Sequence, residues 1–108
     1  MQTEYNQGES HALQLRREAG RWLKDKREEK KLSQRQLADL LGFEYYTFVS
    51  QLETGRGRIP PERYVDWANA LGIEPRVFVK TLMRYYDPIT FNILFSDEIP
   101  QKNHLNRG

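Results

Sequence analysis

Three glycines, Gly42, Gly55 and Gly72, each stand directly behind a short run whose apolar residues recur at helical spacing. A glycine in that place supplies the left-handed residue on which many helices end. The chain is thereby cut into helices of about two to three turns, too short to persist alone in water. They must pack on one another, so the expectation is a bundle.

The elements can be placed in turn. Ser33 and Gln36 have the spacing of a capping box; a helix starts there, carries Leu37, Ala38, Leu40 and Leu41, and stops at Gly42. The next fits Tyr45–Thr54, with Tyr45, Val49 and Leu52 as its apolar stripe. Pro60 and Pro61 open a fourth over Glu62–Leu71, with Tyr64, Val65, Trp67, Ala68 and Leu71 inward. Pro75 opens a fifth, through Val77, Phe78, Leu82 and Tyr85. Ahead of all these, a first helix runs from an N-cap at Ser10 to near Lys30, with Leu15, Ala19, Trp22 and Leu23 on one face. Gly20 inside it marks a kink or a break. Near the C-terminus Ile89, Phe91 and Ile93 alternate with Thr90 and Asn92, a strand period, yet Asp87-Pro88 is a helix start; a short helix is expected. Nothing else has a strand pattern, and the fold class is all-α, a compact bundle of five or six helices.

Composition narrows the function. The chain has 108 residues and no cysteine, and its two histidines, His11 and His104, lie far apart. A disulfide framework, a thiolate nucleophile and a metal site are excluded on residue supply. There is no glycine-rich phosphate loop, and the carboxylates Glu28 and Glu29 are consecutive on a charged helix and do not face each other. The expectation is a protein that is not an enzyme and needs no cofactor and no metal. No apolar run is long enough for a membrane span or a signal peptide, which implies a cytoplasmic protein. The net charge is only +2, but eight basic residues stand against four acidic ones between Arg16 and Lys31, and Arg56 and Arg58 flank a glycine after the third helix. One-sided charge of this kind suits a polyanion.

The second and third helices, joined at Gly42 with the small Ala38 at their crossing, have the pattern of a helix-turn-helix, whose second helix projects and can enter a DNA major groove. Opposite its apolar stripe that helix carries Tyr46, Thr47, Ser50, Gln51 and Thr54. Glutamine pairs bidentately with adenine, and hydroxyls bond either way. Tyr46, Thr47, Ser50 and Gln51 are therefore the candidate base contacts, while Phe48 falls between the stripes and packs toward the preceding helix.

The segments LSQRQLADLLG and VSQLETGRGRIPPERYVDWANALGIEP resemble the Cro/repressor-like helix-turn-helix family, also called XRE, over about Trp22 to Leu82. The stretch from Gly42 to Gly55 has one residue more than the usual family spacing, placed in the turn Phe43-Glu44-Tyr45. The resemblance implies a double-stranded DNA partner, DNA-backbone contacts from Gln34 and from the loop of Arg56 and Arg58, and an internal ion pair between Arg27 and Glu53. Arg35 is a further backbone candidate by charge; Lys26, Lys30 and Lys31 are weaker ones. Residues 1–9 and 97–108 are expected to be mobile termini, 10–86 the DNA-binding domain, and 87–96 an apolar extension that packs back or forms a homodimer. The leading function is a sequence-specific transcriptional regulator; the alternative is an antitoxin or adaptor working through protein contacts.

Overall fold

A computed structural model describes residues 7–96. All regular structure among them is helical: α1 (Gln7–Glu29), α2 (Gln34–Leu41), α3 (Thr47–Glu53), a single 3-10 turn (Pro61–Arg63), α4 (Tyr64–Leu71), α5 (Pro75–Tyr86) and α6 (Pro88–Phe95). The all-α expectation holds, and the 87–96 segment is a helix despite its alternating pattern. Residues 1–6 and 97–108 lie outside the described residues, so the expected mobile tail does too.

Local chemistry accounts for most helix ends. The Ser33 Oγ accepts from the Gln36 N–H at 3.0 Å while the Gln36 Oε1 accepts from the Ser33 N–H at 2.8 Å, which satisfies two of the donors a helix start leaves unpaired. Gly42 closes α2 with φ 76°. Pro75 opens α5, where the Glu74 carboxylate accepts from the Val77 N–H at 3.0 Å. Asp87 does double duty: its N–H donates to the Met83 carbonyl at 2.8 Å, and its Oδ1 accepts from the Thr90 N–H at 3.1 Å. Hydrogen bonding from Thr90 holds the Asp87 carboxyl below its ordinary value.

α1 packs on α3 and α5, α2 on α3 and α4, α4 on α5, and α5 on α6. The shared core contains Leu23, Leu37, Val49, Ile59, Trp67, Phe78 and Leu82, all essentially without exposure. Burying each such side chain contributes roughly 1.5–3 kcal/mol. Ala38 is fully buried, as its place at a helix crossing requires, and Trp22 lies half-buried with its ring 5.6 Å from that of Phe78.

Several expectations are corrected. α1 begins at Gln7, so Ser10 lies within it and does not cap it. The helix also runs unbroken through Gly20. A Cβ there would fall 2.3 Å from the Glu53 carbonyl oxygen; the glycine is a contact point between α1 and α3. Val65 and Val77 are exposed, because Tyr64, Trp67, Ala68 and Leu71 already complete the inward stripe of α4, as Phe78, Leu82 and Tyr85 do on α5. On α6, Phe91 is the residue that turns inward, while Ile89, Ile93 and Leu94 stand 73%, 72% and 59% exposed. The segment thus packs back through one side and leaves an apolar side uncovered.

Candidate nucleic-acid interface

α2 and α3 are joined by a turn that begins like an ordinary helix end, with the Phe43 N–H donating to the Ala38 carbonyl at 2.9 Å. The chain then spends Glu44, Tyr45 and Tyr46 before α3 starts at Thr47. The third helix is therefore shorter than the expected Tyr45–Thr54. Tyr45 sits in the turn, 59% exposed, and is not part of the core stripe; outside the helix it has no i, i+4 relation to Val49. Val49 is buried and Leu52 half-buried, as expected. Phe48 is half-exposed and leans on Phe43 of the turn, ring centroids 5.4 Å apart, so it packs toward the α2 side of the motif.

α3 has seven residues and no side-chain cap at its start. Its neighbours hold it. The Arg27 Nε donates to Glu53 Oε2 at 2.7 Å, and its Nη2 to Glu53 Oε1 at 3.0 Å. Nη1 of the same guanidinium donates to the Leu32 carbonyl at 2.8 Å, and the Gln34 amide donates to Glu53 Oε1 at 2.9 Å. Both charged residues are buried, and Glu53 holds the Arg27 guanidinium above its ordinary value, burial opposing it. One carboxylate at the end of α3 thus joins α1 and α2's first residue, and the same arginine also holds Leu32 in the turn between them. Gly55, at φ 83°, closes α3, and a Cβ there would lie 2.8 Å from Arg17 Cγ; both its backbone and its surroundings require glycine.

With its back fixed, α3 turns one side outward. Thr47 and Gln51 are exposed, Ser50 is half-buried, and Tyr46 at the N-cap is 48% exposed. Thr47, Ser50 and Gln51 lie at i, i+3 and i+4, which brings them to one face. Thr54 continues that face, but its hydroxyl donates to the Ser50 and Gln51 carbonyls.

Compared with known protein families, residues 23–78 match the one described as Helix-turn-helix, just over half of the chain. The chain belongs to the XRE-type helix-turn-helix family. Among curated proteins the comparison finds no match. The domain type is a DNA-binding one, and this helix-turn-helix carries the Arg27–Glu53 pair that the resemblance implies.

The expected backbone-contact residues of the helix-turn-helix are not alike. Arg56 is exposed in the loop behind α3. Arg35 is exposed and reaches the Glu44 carbonyl at 3.4 Å, across the turn. Gln34 is half-buried, with one amide proton committed to Glu53 and one left. Arg58 places its guanidinium 4.9 Å above the ring of Tyr86, next to the bond from the Ile59 N–H to the Tyr86 hydroxyl. Burial raises the Tyr86 phenol above its ordinary value. Lys26 pairs with Glu29 on its own helix at 3.4 Å.

Sequence misread one residue of the site and did not single out another. Gly20 had a helical signature that pointed to weakness, when it marks a close approach. Arg63 donates from Nη2 to the Leu41 carbonyl and stacks its guanidinium 5.0 Å over Phe43. It thereby ties α4 to the end of α2 and the turn. No local pattern announces a contact spanning that length of chain. Among the described residues, no group of His, Cys, Asp and Glu is arranged to hold a metal, and no helix is long and apolar enough to cross a membrane.

Proposed function

We propose that the chain is a sequence-specific, double-stranded-DNA-binding transcriptional regulator that sets α3 into the major groove. The supporting observation is a polar face, Tyr46, Thr47, Ser50 and Gln51, left open on a helix whose opposite side is fixed by a buried ion pair. Gln34, Arg35, Arg56 and Arg58 contact the DNA backbone and set orientation; the α3 face reads bases. Arg58 must leave the Tyr86 ring to do so. Motifs of this kind bind as pairs on half-sites about 34–36 Å apart, and the exposed Ile89, Ile93 and Leu94 of α6 favour a homodimer on a two-fold operator.

Selection of bound sequences from a random duplex pool tests the reading. A two-fold consensus is expected, and failure to enrich any sequence rejects it. On the selected duplex, Gln51→Ala relaxes preference at one or two base pairs by about 1–3 kcal/mol, whereas Arg56→Ala weakens all sequences alike and lowers the salt slope by about one. Uniform weakening by Gln51→Ala removes its assigned role. The same apolar side of α6 supports the second reading, an antitoxin or adaptor module. Ile93→Glu with sedimentation separates the two: a regulator dimer dissociates, while an adaptor keeps its mass and loses a heterologous partner.

A further inference from the structure

A cavity of about 390 Å³ opens between α3, the loop behind it and the start of α4. Its size is that of a site for a small organic molecule. Phe43, Phe48 and Trp67 give it an aromatic wall, and Leu52 and Pro60 an aliphatic one. Arg58 and Arg63 add charge, both positive, and none of the residues lining it is acidic. Trp67 is fully buried, yet its indole Nε1–H has no hydrogen-bond partner among the described residues, and the buried Nε of Arg63 has none either. A buried donor left unmatched costs about 1–3 kcal/mol, and among the described residues no other buried side-chain nitrogen or oxygen lacks a partner. The Arg63 guanidinium is held in place by the Leu41 carbonyl, by Asp66 at 3.4 Å and by the Phe43 ring. A preorganised cation and an aromatic wall share one cavity, and the two orphan N–H donors lie beneath its surface on residues that line it.

We infer that this cavity binds a small aromatic carboxylate, its ring against the aromatic wall that includes Trp67 and its carboxylate on the guanidinium groups of Arg63 and of Arg58, which leaves the Tyr86 ring to reach it. The ring supplies the apolar area, and the carboxylate supplies the acceptors and the negative charge that the lining lacks. Phe48 and Gln51, which line the cavity, belong to α3. The occupant therefore touches the helix that carries the readout face, and occupancy and DNA affinity are linked reciprocally; this regulatory half rests on the function proposed above. The helix-turn-helix domain itself would in this way respond to a metabolite.

The two tryptophans provide a residue-specific readout. The full-length chain, labelled with nitrogen-15, is titrated with benzoate, phenylacetate and indole-3-acetate in turn at constant ionic strength. At least one acid is expected to move the Trp67 indole N–H resonance saturably, through the ring seated against Trp67, with Trp22 unchanged; Trp67→Phe assigns the signal. Gly57→Leu is the blocking variant: Gly57 is outside the left-handed region and a Cβ there meets only Leu52 Cδ2, at 3.6 Å, so the added side chain fits into the cavity. It is expected to keep the thermal transition and abolish the shift. No saturable shift with any of the three acids, or an undiminished shift in Gly57→Leu, overturns the site. Affinity for the selected duplex is expected to fall about fivefold or more at saturating acid, and an unchanged affinity overturns the linkage. Should the chain bind no duplex at all, the titration still decides the site, because it contains no DNA.

Discussion

The two helices of the motif reach the same end by opposite means. α2 is written into its own residues: Ser33 and Gln36 cap its start, Gly42 ends it, and Leu37, Ala38 and Leu41 form its inward face. α3 has no side-chain cap, and few of its own features decide where it lies. Its position comes from Arg27 and Gly20 of α1, Gln34 of α2 and the close approach of Arg17 to Gly55. A helix that must present its exposed residues to a partner has little sequence left over for stabilising itself, so the stabilising groups sit on other elements. Substitutions far from the readout face will therefore change its position, while substitution of the α2 capping residue Ser33 will cost only local stability.

The largest expected effect breaks the clamp on α3. Arg27→Ala leaves the Glu53 carboxylate buried without its cation, which costs about 3–5 kcal/mol; denaturant unfolding should show it. Paired with Glu53→Gln in a double-mutant cycle, most of that loss should be shared between the two sites, and simple additivity would mean that the pair is not coupled. Gly20→Ala comes next. Helix propensity alone favours alanine by about 1 kcal/mol, but its Cβ meets the Glu53 carbonyl at 2.3 Å, and overpacking of this kind costs about 1–3 kcal/mol. A net loss of stability accompanied by weaker DNA binding is expected; a gain would show that α1 and α3 can part freely. On the other side of the comparison, Ser33→Ala should cost about 1 kcal/mol and leave duplex selectivity as it was. A changed consensus for this variant would erase the distinction between the two helices.

The smallest effect sharpens the comparison by titration. α2 is capped by a hydroxyl, α6 by the carboxylate of Asp87, whose folded value is lowered below the ordinary 3.8 by its bonds to Thr90. A lowered carboxylate contributes stability that is present above its unfolded value and lost as pH falls through the folded one. Protection of the α6 backbone amides, measured against their intrinsic exchange rates, should therefore fall below about pH 4, while the α2 cap does not titrate. Asp87→Asn should flatten that acid limb, and an unchanged limb would assign it to another carboxylate.

What the sequence disclosed follows the same division. The all-helical class, the capping box, the glycine terminators and Pro75 as a helix start depend on neighbours within a few residues, and the structure bears each out. Periodicity also placed Leu37, Ala38, Val49, Trp67 and Leu82 in the core. It failed where long-range packing decides. Gly20 carries the local signature of a weak helix, whereas the Glu53 carbonyl that explains it is contributed by another helix. Tyr45 has the right spacing for an inward stripe only if the helix has already begun, and the longer turn delays it to Thr47. Val65 and Val77 are apolar without being inward, because hydrophobicity alone carries no direction. α6 was ambiguous for the same reason: its residues are apolar nearly all round, so no period identifies the buried side, and only contact with α5 selects Phe91. Exposure of Thr47 and Gln51, by contrast, was legible, since the opposite stripe of α3 was already assigned to the core.

Asp87 deserves a last consequence. Because one residue terminates α5 and starts α6, no slack separates the uncovered Ile89–Ile93 edge from the body that carries α3. A second copy seated on that edge would inherit a fixed bearing rather than hang from a tether. The distance between two readout helices would then be a property of the corner at Asp87, and lengthening that corner by a residue would retune which operator spacing the pair accepts.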